Sequence, residues 1–186
     1  MNLRIIGGRL RGKKLYSVPG TLTRPTADRV REAVFNILAT EIIGTRVLDL
    51  FAGTGCLGLE ALSRGAKLAV FIDNHQLPVS VIKKNIVACR FETVSRTFQL
   101  DLCNDANRLS VAGKDFDLVF MDPPYNRGLV EPTLAKLSFY GLLAKEAIIV
   151  VEHTPLEPIG ETIMPFVVKD QRKYGKTLVS FLLYAI

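Results

Sequence analysis

Val47-Leu48-Asp49-Leu50-Phe51-Ala52-Gly53-Thr54-Gly55-Cys56-Leu57-Gly58-Leu59-Glu60-Ala61-Leu62 is the stretch on which the fold turns. An apolar run of strand length enters a glycine-rich bend and leaves it as a helix, the order expected where a backbone turn cradles a nucleotide-like ligand. Gly53, Gly55 and Gly58 match G-x-G-x-x-G, and Asp73 follows Gly53 by 20 residues at the end of a second apolar strand, Leu68 to Ile72. On spacing alone a nicotinamide dinucleotide fits, with Asp73 accepting hydrogen bonds from ribose hydroxyls. Asp49 argues for a different ligand. Four residues before the first glycine, its charge opposes a pyrophosphate at the helix N-terminus and suits a cation, such as a sulfonium bearing an α-amino group. A further strand, Arg96 to Leu100, closes on Asp101, a third carboxylate at a strand end, where an adenine amino group can be read.

Downstream, the apolar run Phe116 to Met121 reads as another buried parallel strand and stops at Asp122-Pro123-Pro124-Tyr125. Two prolines cannot continue a sheet ladder, so the chain leaves stiffly with its carbonyls turned outward. The Asp122 carboxylate, the Pro123 carbonyl and the Tyr125 ring together suit a planar group with an exocyclic NH2, such as a nucleobase. Taken alone, the tetrapeptide is equally a plain turn after a strand.

The coarse path is that of an α/β doubly wound sheet, mostly parallel and seven-stranded. Strands are expected near 46–51, 68–72, 96–100, 116–121 and 147–152, with helices near 56–64, 76–89 and 129–139 between most of them. A helix from a Thr26 N-cap through about Ala39 precedes them, its apolar stripe formed by Val30, Val34, Ile37 and Leu38. Stretches 162–168 and 177–184, joined by Lys169 to Gly175, read as a closing antiparallel pair. Ahead of everything, Leu3, Ile5 and Ile6, then Gly7-Gly8, then Leu10 and Leu15 read as a short hairpin. That divides the chain into a basic hairpin extension, 1–22, and a main domain, 23–186.

Charge is concentrated in that extension. Residues 1–31 carry Arg4, Arg9, Arg11, Lys13, Lys14, Arg24, Arg29 and Arg31 against Asp28 alone, whereas the whole 186-residue chain is only +6. The asymmetry points to a polyanion, with Arg4, Arg9, Arg11, Lys13, Arg24 and Arg29 as candidate phosphate contacts that position RNA or DNA without reading its sequence. No apolar run reaches about 18 residues and no leader-like segment opens the chain, so neither membrane insertion nor secretion is expected. Cys56, Cys89 and Cys103 are odd in number and lack C-x-x-C spacing, which points to a reducing cytoplasm and away from a disulfide framework or zinc site; Cys56 and Cys103 read as buried packing residues. His75 and His153 are too isolated to suggest a metal pair. Glu152-His153 ends a strand and either borders a pocket or is an ordinary surface pair.

Nearly end to end, the chain resembles the class I S-adenosylmethionine-dependent methyltransferases and, within them, the RsmD-type 16S rRNA guanine-N2 methyltransferases. The likeness lies in Arg4 to Gly12, Thr23-Arg24-Pro25-Thr26 through Leu38, Asp49 to Gly65, Phe116 to Tyr125 and Tyr174-Gly175. It implies that Asp49, Gly53 and Gly55 hold the methionine part of S-adenosylmethionine, Asp73 the ribose and Asp101 the adenine, while Asp122, Pro123 and Tyr125 hold the target base. Asp73 stands where relatives often carry Glu, and Cys56 where Ala or Ser is usual. The implied partner is 16S rRNA or the small ribosomal subunit, and the implied enzyme is a cytoplasmic monomer that needs no metal.

Two acceptors on an exocyclic amine, from Asp122 and the Pro123 carbonyl, favour a more pyramidal nitrogen, with Tyr125 stacked on a base turned out of its helix. Adenine N6 offers the same NH2 as guanine N2, so an adenine-N6 methyltransferase on DNA or RNA remains an alternative. A non-catalytic nucleic-acid-binding protein and a nicotinamide oxidoreductase on the same scaffold remain as well.

Overall fold

The computed structural model describes residues 3–19, 25–160 and 162–186. Among these residues eight strands form one sheet in the order β3-β2-β1-β4-β5-β8-β7-β6. The strands are β1 (Arg46–Leu50), β2 (Leu68–Asp73), β3 (Ser95–Gln99), β4 (Phe116–Met121), β5 (Leu143–His153), β6 (Thr162–Ile163), β7 (Phe166–Tyr174) and β8 (Thr177–Tyr184). The first five pair in parallel and the last three antiparallel, so seven substantial strands carry the expected doubly wound sheet and the two-residue β6 trims its edge. Helices α1 (Pro25–Leu38), α2 (Cys56–Ser63), α3 (Gln76–Cys89) and α4 (Val130–Phe139) complete the alternation.

Both faces of the central strands are apolar because helices cover both. On one face Val47, Phe71, Phe120 and Val150 share a core with Val34, Phe35 and Leu38 of α1 and Leu59 of α2. On the other, Leu48, Leu50, Val70, Ile72, Val119 and Ile149 meet Leu134 and Leu137 of α4. The basic N-terminal segment belongs to the first core. Leu3, Ile5 and Leu15 are buried in it, a contribution of roughly 1.5–3 kcal/mol each, enough to hold the segment down. A single antiparallel bridge, Arg4 to Lys14, and the bonds Ile5 N–H to Lys13 O and Leu15 N–H to Leu3 O form the expected hairpin around a 3-10 turn at Gly8–Leu10. Its backbone is tied to α2 by Ile6 N–H to Glu60 (2.8 Å) and Leu10 N–H to Ser63 (2.9 Å), and to α3 by Tyr16 N–H to Asn85 (2.7 Å).

Three local readings are corrected. Helix α1 begins at Pro25, which suits a residue with no N–H to leave unsatisfied, so Thr26 lies inside the first turn and is not its cap. Ile37, placed on the apolar stripe, is exposed, and Phe35 is buried with Val30, Val34 and Leu38. The stretch 162–168 is not one strand. The chain turns at Met164-Pro165, and Lys169 to Tyr174, read as a connection, continues β7, leaving a turn of Gly175-Lys176 before β8. The division at residues 22 and 23 falls outside the described residues.

Candidate active site

Strand order reverses between β1 and β4, the place where open α/β sheets bind ligands beyond the strands' carboxyl ends. Leu50 pairs with Met121, so the glycine bend after β1 and Asp122-Pro123-Pro124-Tyr125 after β4 emerge side by side. Gly53 and Gly55 have φ of 56° and 74°, which glycine adopts without penalty. Phe51 also has positive φ, 58°, a strained state for a bulky side chain. The Ala52 N–H bond to Ile72 O (3.0 Å) and the Gly55 N–H bond to Ala52 O (2.7 Å) hold the bend in that shape. Gly58 is needed for closeness: a Cβ there would lie 2.4 Å from the Phe71 ring.

Three carboxylates sit at the strand ends. Asp49 is fully buried behind the bend and accepts the Gly58 N–H at 2.9 Å. Burial, opposed in part by that bond and reinforced by Asp73, pushes its carboxyl up to about 8. Among the described residues it has no cationic partner, so a cationic ligand against it would restore the ionised form. Asp73 accepts the Gly53 N–H (2.9 Å) and the His75 N–H (3.0 Å), fixing the bend to the end of β2 while each oxygen keeps further acceptor capacity. Asp101 accepts Cys103 N–H (2.8 Å) and the Asn104 amide (2.9 Å), bonds that lower its pKa.

Two cavities adjoin this partition. The first, about 700 Å³, is lined by Phe51, Asp73, Asp101, Pro123 and Pro124 among others. The second, about 520 Å³, is lined by Arg31 of α1, Thr54 and Cys56 of the bend, Glu152, and the β7–β8 turn from Tyr174 to Thr177. Asp122 and Tyr125 line both. The bend runs between the cavities, Phe51 lining the first and Thr54 and Cys56 the second, with Asp49 buried beneath it. The chemistry of this arrangement suits S-adenosylmethionine: two carboxylates, Asp73 and Asp101, line the first cavity, and an uncompensated buried carboxylate, Asp49, lies beneath the glycine bend.

Asp122 opens into the cleft, yet protein crowds it, and its carboxyl is pushed upward by that burial, then by Glu152 and by Asp49. Solvent in the cleft offsets part of the rise. The Tyr125 hydroxyl donates to Glu152 (2.5 Å), with Thr177 Oγ1 at 3.5 Å, and burial with that bond pushes its pKa further up, so it stays a neutral donor. Beyond it, Glu157 accepts the backbone N–H groups of Asn126 (2.5 Å) and Gly128 (2.6 Å), which pins the loop that follows the prolines.

Of the basic candidates, Arg4, Arg9, Arg11, Lys13 and Arg29 are exposed, with Arg9 lying over the Phe91 ring at 4.6 Å; Arg24 lies outside the described residues. Arg31 instead turns inward, donating to Arg4 O (2.7 Å) and Asp28 (3.1 Å). Cys103 is exposed on the first cavity and is not the buried packing residue expected, whereas Cys56, half-buried at the second cavity, packs against the first core. His153 is buried and bonded to Ser180 and the Glu157 carbonyl. Glu152 does border a pocket, the first of the two readings of Glu152-His153, but sequence reasoning missed it as the anchor of Tyr125 and missed the β7–β8 turn as a cavity wall. Both are brought there because β8 runs back from the carboxyl end of β5, with His153 opposite Leu178. Among the described residues no helix is long and apolar enough to cross a membrane, and no cluster of metal-ligating side chains occurs.

Comparison with known proteins bears on the family and the fold. The YlbH protein of Bacillus subtilis is 36% identical over 182 residues, covering 96% of this chain and 97% of that one. Ribosomal RNA small subunit methyltransferase D of Escherichia coli K12 is 42% identical over 150 residues, covering 81% and 74%. The solved structure of the Escherichia coli protein yhhF superposes with a TM-score of 0.87 at 37% identity, covering 100% of this chain and 99% of that one. The family model described as Conserved hypothetical protein 95 matches residues 3–183, and the chain belongs to that family.

Proposed function

We propose that this chain is an S-adenosylmethionine-dependent methyltransferase that modifies the exocyclic N2 amine of a guanine in 16S rRNA. The observation that carries the reading is the shared wall of Asp122 and Tyr125 between two cavities, one suited to a nucleoside cofactor and one to a base. Support for the RNA class comes from the relative named as a small-subunit rRNA methyltransferase and from the exposed arginines of the hairpin.

Asp73 and Asp101 would hold the ribose and adenine, and Asp49 with the Gly53–Gly55 bend the methionine end. Bound there, the cofactor supplies a methyl group on a positively charged sulfur: the amine nitrogen gains the N–C bond as the S–C bond breaks, its electron pair staying on sulfur. The protein's own contribution is placement and polarity. Asp122 and the Pro123 carbonyl accept the two amine N–H bonds and hold the nitrogen pyramidal, and positioning of this kind supplies several kcal/mol of the barrier reduction. A carboxylate with a raised pKa is also a competent acceptor for the proton the product ammonium releases. Tyr125, tethered by Glu152, presents its ring to a base turned out of the RNA.

Arg4, Arg9, Arg11, Lys13, Arg24 and Arg29 would bind phosphates, the basic hairpin 1–22 acting as an RNA-positioning extension of the domain 23–186. The enzyme would act in the cytoplasm as a monomer, away from any membrane and with no metal. The test is methyl transfer from labelled S-adenosylmethionine into rRNA of a strain lacking the enzyme, with the labelled nucleoside identified. N2-methylguanosine is expected, and N6-methyladenosine as sole product would end the guanine reading.

A further inference from the structure

Strand register brings a second carboxylate to the base cavity. Phe120 pairs with Val150 and Met121 with Val151, so Asp122 and Glu152 follow on neighbouring strands at the same level. By the alternation of a strand they share the face of Phe120 and Val150, and all four line the second cavity. One Glu152 oxygen accepts the Tyr125 hydroxyl at 2.5 Å, while among the described residues the other takes no hydrogen bond. The same cavity is lined by Arg31, buried to 4% exposure, whose Nε lacks an acceptor among the described residues. A binding space with one free carboxylate oxygen and an unsatisfied buried donor is built for a polar ligand edge.

We propose that Glu152 accepts the N1–H of the target guanine and so determines specificity for it, while Asp122 serves the amine beside it. The proposal presupposes the guanine-N2 reading above. Guanine places two donors side by side, N1–H and the N2 amine, matching two carboxylates on adjacent strands. Adenine and 2-aminopurine also carry an amine but have a bare lone pair at N1, which would face the lone pairs of Glu152. A site built around a hydrogen bond discriminates strongly against the analogue lacking it, because the polar group is left unpaired.

Glu152→Gln tests this, since a glutamine keeps an acceptor for Tyr125 and puts an N–H donor where the second oxygen was. The substrate is 16S rRNA joined by splinted ligation to carry guanosine or 2-aminopurine riboside at the mapped position. kcat/KM is measured for both RNAs. The wild-type enzyme should prefer guanosine by on the order of 100-fold, and E152Q should narrow that ratio at least about tenfold, mainly through KM. Asp122→Asn should slow both RNAs alike and leave the ratio in place. An unchanged ratio in E152Q, with N2-methylguanosine still the wild-type product, overturns the role of Glu152 alone. A wild-type enzyme that accepts 2-aminopurine as readily as guanosine overturns it without reference to any variant. A wild-type product other than N2-methylguanosine overturns the base reading beneath it.

Discussion

Asp49→Asn isolates the buried carboxylate beneath the glycine bend. The asparagine oxygen can still accept the Gly58 N–H, so packing is kept and only the ionisable group is lost. In the unfolded chain Asp49 titrates near 3.8, while burial pushes the folded value to about 8. Below pH 4 both states hold the proton, and above pH 8 neither does. Between those limits the unfolded state gives up its proton and the folded state keeps it, so stability falls as pH rises, by up to about 1.4 kcal/mol per unit. From pH 6 to 8 the wild-type protein should lose up to about 2.7 kcal/mol relative to Asp49→Asn, or on the order of 5–10 °C in Tm for a domain of this size. Asp122 has a slope of the same sign, but it is present in both proteins and largely cancels in the difference. The assay is thermal unfolding of both ligand-free proteins across pH 6–8, joined to calorimetric titration with S-adenosylmethionine in buffers of different ionisation heat. Cofactor binding by the wild type at pH 7 should release protons toward one per site, because a cation against Asp49 favours the carboxylate. Asp49→Asn should release none from this site and bind on the order of 10–100 times more weakly. Parallel Tm profiles and equal proton release in the two proteins would refute the buried, raised carboxylate and its role as counter-charge.

Asp122→Ala should leave cofactor affinity within about twofold while kcat falls on the order of 100–1000-fold, as measured by calorimetry and methyl incorporation; normal turnover would remove Asp122 from the chemistry. Arg9→Ala with Arg11→Ala should weaken RNA binding and reduce the slope of log K against log salt by about 1.4 to 2, by filter binding at several salt concentrations; an unchanged slope places the RNA face elsewhere. Gly58→Ala forces a methyl to within 2.4 Å of Phe71 and 3.2 Å of the Asp49 carboxylate. It should cost about 1–3 kcal/mol in denaturant unfolding and weaken the cofactor with it; an unaffected midpoint would show that the α2–β2 contact has room to spare.

The chain-local constraints were the legible ones. Gly53, Gly55 and the proline pair restrict the backbone regardless of what surrounds them, and fully apolar strands imply helices on both faces, so the sheet could be read from residues 46–125, whereas the side-by-side exit of the two bends rests on the register of β1 against β4. What escaped reading depends on distant partners. Arg31 and Arg29 look alike in sequence, and only the phase of α1 on the sheet turns Arg31 inward to Arg4 O while Arg29 meets solvent. The same phase leaves Ile37 exposed and buries Phe35. Lys169 to Tyr174 reads as a loop because it is polar, yet it pairs with β8 as an antiparallel strand whose polar residues can face water. Glu152 gained its place only through the register of β4 against β5 and the reach of Tyr125, neither of which a single strand encodes.

The proposed activity requires a base to enter the second cavity, which shares Asp122 and Tyr125 with the first. Small-subunit rRNA from a strain lacking the enzyme, incubated with this protein and methyl-labelled S-adenosylmethionine, then digested and resolved by mass spectrometry, measures that claim. Label in N2-methylguanosine at one position, absent with Asp122→Ala, is predicted. Label that persists undiminished in the Asp122→Ala reaction, or that resides only in N6-methyladenosine, would contradict it.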